Sequence, residues 1–311
     1  MKNNLSGWII LDKPSGITSA HAVAKVKRLL KPSKIGHAGT LDSLASGILP
    51  LALGEATKTV AYMMDARKSY AFTVTWGQER DTDDCMGQVV RESEQRPTLA
   101  EIETVLPQFT GVISQIPPDY SAIKIDGQRA YDAARGGNAL ELKAREVRVE
   151  QLAVSSWQIA DVHQPISPSA NCHLLTASFI CHCGKGTYIR SLARDMGRVL
   201  GCFGYISELR RLSVGNFDES HAISLEVMEK MLHKGDLSFL RPVESALDDI
   251  PACDVSHDQA VLLRQGQKPP LPPQVAEEPS GTKIMVRSGG NLVGICEVSQ
   301  GSLKPVRVFN L

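Results

Sequence analysis

The run Gly36-His37-Ala38-Gly39-Thr40-Leu41-Asp42-Ser43-Leu44-Ala45-Ser46-Gly47-Ile48-Leu49-Pro50 sets one acid, Asp42, among small residues. A basic segment precedes it and an apolar one follows. A lone carboxylate held in a loop can serve as a nucleophile or a general base. Gly36, Gly39 and Gly47 permit turns and close backbone approach. Thr40 and Ser43 are placed to tie the loop by side-chain hydrogen bonds to backbone. A more ordinary reading is a turn whose Asp42 caps an apolar helix that follows. Spacing alone leaves both readings open.

Other elements must position this acid. Gly7-Trp8-Ile9-Ile10-Leu11-Asp12-Lys13 reads as a short apolar strand ended by Pro14. A helix begins with its cap at Thr18 or Ser19 and buries Ala22, Val23, Val26, Leu29 and Leu30. Tyr70, Phe72, Val74 and Trp76 alternate onto one strand face, which aims Tyr70 inward. By spacing alone, Tyr70 is a core residue. Gly77–Gly87 is an acidic loop without the ordered ligand spacing of a calcium loop. Leu174–Cys183 reads as a second alternating strand. It leads into a helix with apolar Ile189, Leu192, Ala193, Met196, Val199 and Leu200, closed by Gly201. Arg190, Arg194 and Arg198 form a stripe near the opposite side of that helix. Beyond about residue 250, a proline-rich stretch over Lys268–Pro273 precedes short strands and a Ser288-Gly289-Gly290-Asn291 hairpin turn.

Composition narrows the class. The chain has 311 residues, 42% hydrophobic and 22% charged, enough for a large core and two domains. No apolar run is long enough to cross a membrane, and the first residues lack a signal-peptide core. A cytoplasmic protein is the expectation. Seven cysteines, an odd number, argue against a disulfide framework. Cys172-His173 and Cys181-His182-Cys183 lack the C-x-x-C pairs of a structural zinc site, so no metal is expected. Net charge is zero but unevenly spread. Residues 1–68 carry ten Lys and Arg against four Asp and Glu, and residues 185–215 carry six against two. Segregated charge of this kind forms either a phosphate-binding face or ordinary solvated helix surface.

The Asp42 run resembles the catalytic motif of the bacterial TruB family, the tRNA pseudouridine-55 synthases, which reads G-H-x-G-x-L-D-P-L-A-T/S-G. The likeness continues through Pro50-Leu51-Ala52-Leu53-Gly54-Glu55-Ala56-Thr57-Lys58. It returns at Leu11-Asp12-Lys13-Pro14, at Pro117-Pro118-Asp119-Tyr120-Ser121-Ala122-Ile123-Lys124 and at Gly127-Gln128-Arg129-Ala130-Tyr131. It returns again at Cys183-Gly184-Lys185-Gly186-Thr187-Tyr188-Ile189-Arg190, at Ser207-Glu208-Leu209-Arg210-Arg211-Leu212 and at the chain's end. One departure stands out: Ser43 occupies the family's usual proline position, which gives up some rigidity beside the acid.

The resemblance implies an α+β fold. It would have a mixed, mainly antiparallel central sheet flanked by helices, with a small β-rich PUA-like domain at the C-terminus. The implied boundaries are 1–248 for the catalytic domain, with a thumb-like insertion at about 118–146, and 249–311 for the second domain. Asp42 would be the nucleophile, Arg190 its ion-pair partner, and Tyr70 the ring that stacks on uracil and assists at the C5 proton. Leu209 would wall the pocket, Lys13 would support the site, and His37 would stack in the remodelled T loop or simply be a bonded loop histidine. Arg194, Arg198, Arg210 and Arg211, with Lys25 and Lys34, would contact phosphates or be solvated. The base exchange conserves every atom, so no cofactor is expected. The expected partner is the T stem-loop of tRNA, bound by a monomer without membrane or guide RNA. Two alternatives are a guide-dependent enzyme of box H/ACA type and a tRNA-folding chaperone without catalysis. H/ACA enzymes carry D-P-K-V-T-G-like runs, unlike Asp42-Ser43-Leu44-Ala45-Ser46-Gly47.

Overall fold

The computed structural model describes residues 3–311 apart from 122, 126–127, 137–139 and 161–173. Cys172 and His173 therefore lie outside the described residues, as does part of the 118–146 insertion.

The central feature is a nine-stranded sheet. Its main path runs Gly7–Lys13, Ser46–Leu53, Gly204–Val214, Lys68–Trp76, Leu174–Cys183, Arg145–Ala160 and Gly111–Gln115. Every neighbouring pair on that path is antiparallel except Ser46–Leu53 with Gly204–Val214. The fold is thus α+β with a mixed, mainly antiparallel sheet.

Period-two burial explains how the first strand serves two cores. Ile9 and Leu11 join the large core beneath helices Ser19–Leu30 and Ile189–Val199. Trp8 and Ile10 face the other way, into a layer shared with Met285, Leu292, Ile295 and Phe309 of the C-terminal segment. That segment builds its own four-stranded sheet, Ala252–Asp254, Lys283–Ser288, Asn291–Ser299 and Ser302–Val308, over its own apolar cluster. Its hairpin turns through Gly289 and Gly290, both at positive φ, as a two-residue primed turn requires.

Ser46–Leu53 corrects the capping reading of Asp42. It is a strand, buried at every position from Gly47 onward, not a helix. Its unbroken apolar run reflects cover on both faces, which erases alternation. On the Tyr70 strand alternation is clean: Phe72 stacks on Phe179 at 5.1 Å, and Trp76 meets Phe179 edge-on. Cys181 and Cys183 share Phe179's buried face. Among the described residues, no helix is long and apolar enough to cross a membrane.

Gly47 has φ +99°, and a Cβ there would lie 2.2 Å from the Arg211 carbonyl oxygen. Gly47→Ala is therefore expected to cost well over ~1 kcal/mol, because both the conformation and the space reject a side chain. Urea unfolding of parent and variant measures this. Equal midpoints would contradict it.

Candidate active site

The loop carrying Asp42 is held from outside. Ser19, buried at the start of its helix, donates from Oγ to the Leu41 carbonyl at 2.9 Å and accepts from the Leu41 N–H at 2.8 Å. Ser15 Oγ donates to Leu44 O at 2.7 Å, and the Gly16 N–H donates to Ser43 O at 2.8 Å. The hydroxyls of Thr40 and Ser43 make none of these ties, contrary to expectation. The sequence offered Ser19 only as a candidate helix cap; the cap is Thr18, which leaves the Ser19 hydroxyl for Leu41.

Arg190 sits in the first turn of Ile189–Val199 and reaches Asp42 in a two-pronged fork. Its Nε donates to Oδ2 at 2.9 Å and its Nη2 to Oδ1 at 3.1 Å. Nη1 also donates to Thr82 O at 2.9 Å, and Nη2 to Tyr120 O at 3.0 Å. Asp84 Oδ2 lies 3.6 Å from Nη1. The Arg190 side chain is 4% exposed and that of Asp42 35%. A buried cation thus aims a carboxylate that solutes can still reach. Such bidentate geometry fixes orientation as well as charge.

Asp42 and Arg190 line a cleft of about 580 Å³ together with Tyr70, Leu209, Tyr188 and Arg211. Burial pushes the Tyr70 phenol above its ordinary pKa, and the Arg211 guanidinium beside it pulls the other way. Lys13 lies outside this lining. It is fully buried and donates to the carbonyls of Pro14 and Ile17 at 2.9 and 2.8 Å, so it braces backbone behind the loop. Lys68, a cleft residue that sequence reading missed, likewise donates to the carbonyls of Met63, Met64 and Ala66. His37 lies on the short strand Ile35–His37, outside the cleft lining, with the Gly39 backbone beside its ring. Burial lowers its pKa.

The expected phosphate contacts need correction. Arg211 is 1% exposed. Its Nε donates to Ile48 O at 2.7 Å and its Nη2 to Gly39 O at 3.0 Å. It clamps the two ends of the Asp42 loop rather than facing solvent. Arg194 is buried against Asp83 and Asp195 and donates to Ile116 O. Arg198 forks onto Glu79, and Arg210 onto Asp12 and Glu219. The acidic loop therefore pairs with the whole arginine stripe, at Arg190 and Arg194 because buried guanidinium groups need acceptors close at hand, and at Arg198 with the guanidinium still partly exposed. Lys34 is exposed and Lys25 half-buried.

Two family models cover this arrangement. Residues 27–189 match the TruB family pseudouridylate synthase N-terminal domain, and residues 190–248 match the tRNA pseudouridylate synthase B C-terminal domain. The chain belongs to the TruB family. Among its relatives, tRNA pseudouridine synthase B of Rhodopseudomonas palustris is 50% identical over 316 residues, covering 100% of this chain and 82% of that one. The protein of the same name in Nitrobacter winogradskyi is 51% identical, covering 100% and 84%. The one in Caulobacter sp. is 48% identical, covering 99% and 97%. A solved chain from an H/ACA RNP bound to a substrate RNA containing 2'-deoxyuridine superposes with a TM-score of 0.70. It is 23% identical and covers 98% of this chain and 85% of that one, a likeness of fold. A chain from a Cbf5-Nop10-Gar1 complex gives 0.70 at 25% identity, covering 98% and 84%.

Burial lowers the pKa of Lys13 from 10.5 to about 8, against the pull of Asp42. Between those values the unfolded chain binds more protons, so stability rises with pH across that window and the burial penalty is complete below it. Lys13→Met removes this share. Urea unfolding at about pH 7.5 and about pH 9.5 is expected to show the parent gaining on the variant by on the order of 1 kcal/mol. A difference that does not change with pH would contradict this.

Proposed function

We propose that the protein isomerises uridine to pseudouridine at position 55 in the T arm of tRNA, without guide RNA or cofactor. It would act as a monomer in the cytoplasm, with residues 1–248 as the catalytic domain and 249–311 as an RNA-binding one. The observation that carries this reading is the fork of Arg190 on Asp42, set in a cleft that Tyr70 and Leu209 also line. Membership of a family whose relatives bear the matching name supports the substrate class.

The target base must first leave the RNA stack, at a cost of a few kcal/mol. The cleft has room for a nucleoside, and Leu209 and Tyr70 give it an apolar wall and a ring face. A carboxylate oxygen of Asp42 bonds to the reacting carbon, C1′ of the ribose or C6 of the uracil. The bond from N1 to C1′ breaks, the uracil turns, C5 bonds to C1′, and the bond from the Asp42 oxygen to carbon breaks, which returns the free carboxylate. C5 loses a proton and N1 takes one up, so substrate and product are isomers. Arg190 keeps Asp42 aimed throughout. The Tyr70 phenol, held neutral by burial, serves as a proton relay rather than a standing base. His37 would stack within the T loop.

Purified protein and an unmodified T-arm stem-loop test this directly. Pseudouridine is expected with the parent and none with Asp42→Asn. Tight binding without product would overturn the enzymatic reading in favour of a chaperone, and a requirement for guide RNA would favour the H/ACA type. Arg190→Lys keeps the charge but loses the fork. Its kcat is expected to fall by about 100-fold, the scale of a small misplacement of a reacting group. A wild-type kcat in that variant would refute the aiming role. Ser43 N–H makes no described hydrogen bond that proline would remove. Ser43→Pro is therefore expected to be at least as active as the parent in the same assay, and a slower variant would contradict this.

A further inference from the structure

Five cations line the cleft: Lys68, Arg145, Lys185, Arg190 and Arg211. Three are already committed. Lys68 and Arg211 spend their donors on backbone carbonyls, and Arg190 serves Asp42, Thr82 and Tyr120. Arg145 is exposed and makes no ion pair among the described residues. Lys185 donates to Asp65 Oδ1 at 2.8 Å, with the two side chains 66% and 63% exposed. An ion pair so exposed is weak and readily exchanged.

An extruded nucleotide brings its phosphodiester to the mouth of the cleft, where an unpaired cation must meet it. We propose that Arg145 and Lys185 receive the phosphodiester of the target nucleotide, and that Asp65 holds Lys185 until the phosphate displaces it. The proposal rests on the RNA-modifying reading above. It moves the phosphate contact from the arginine stripe of Ile189–Val199 to the turn before that helix and to the start of strand Arg145–Ala160. It also makes Asp65 a competitor of the substrate.

The test measures affinity for an unmodified T-arm stem-loop across a salt series, with single-turnover product formation alongside. Lys185→Gln is expected to weaken binding several-fold and to lower the salt slope by roughly one, as loss of one phosphate contact does. Arg145→Gln should act similarly. Asp65→Asn is expected to tighten binding about two- to five-fold, the yield of releasing an exposed pair. Arg198→Gln, outside the proposed site, should lower thermal stability and leave the slope unchanged. All four variants are compared by circular dichroism, and the Lys185 and Asp65 side chains are exposed enough for their variants to fold. An unaltered slope in Lys185→Gln, weaker binding in Asp65→Asn, or a reduced slope in Arg198→Gln would overturn the proposal. If the parent itself neither binds nor converts the RNA, it is the functional reading that fails.

Discussion

A guanidinium taken out of water must find acceptors, and Arg190 finds them on three other segments. Asp42, the Thr82–Asp84 loop and the Tyr120 carbonyl all converge on it. None of these contacts is local. The cost of leaving a buried charge unmatched is large, so the segments are bound to their relative positions. The nucleophile candidate is therefore aimed by the same group that ties down the acidic loop and the segment carrying Tyr120. Arg211 does the corresponding work from below, holding both ends of the Asp42 loop by their carbonyls.

The same demand explains the charge pattern. Arg190, Arg194 and Arg198 recur along one helix, and each meets an acid from the 79–84 stretch. A protein with no net charge can thus hold strongly basic segments whose charges are matched within the fold, although Arg198 still reaches solvent. The cations without a close acid are those at the cleft mouth and on exposed turns, such as Arg145 and Lys34, not those that look densest in the chain.

Much of the site was legible in the sequence. The Asp42 motif, the inward face of Tyr70, and the segments carrying Arg190 and Leu209 do meet at one cleft. Alternation and motif order carry that information because they fix which face a side chain occupies. They do not fix what it faces. The arginine stripe looked like a solvent-facing surface, since its partners in the acidic loop lie more than a hundred residues away, as Glu79 does from Arg198. Ser46–Leu53 was ambiguous for a different reason: a strand covered on both sides loses its period. Ser19 escaped notice because a serine at a helix start has a sufficient local explanation.

The only parallel pairing on the sheet's main path joins Ser46 and Gly47 to Arg210 and Arg211. It brings the beginning of the chain against a strand made far later. On a ribosome the Asp42 loop emerges early and waits. Its clamp and its charge partner, separated from it by 163 and 148 residues, do not exist until most of the sheet has been synthesised. Contacts of such long separation form slowly. The nascent chain therefore carries an Asp42 loop tied only to its early neighbours Ser15, Gly16 and Ser19 until Arg190 and Arg211 have been made.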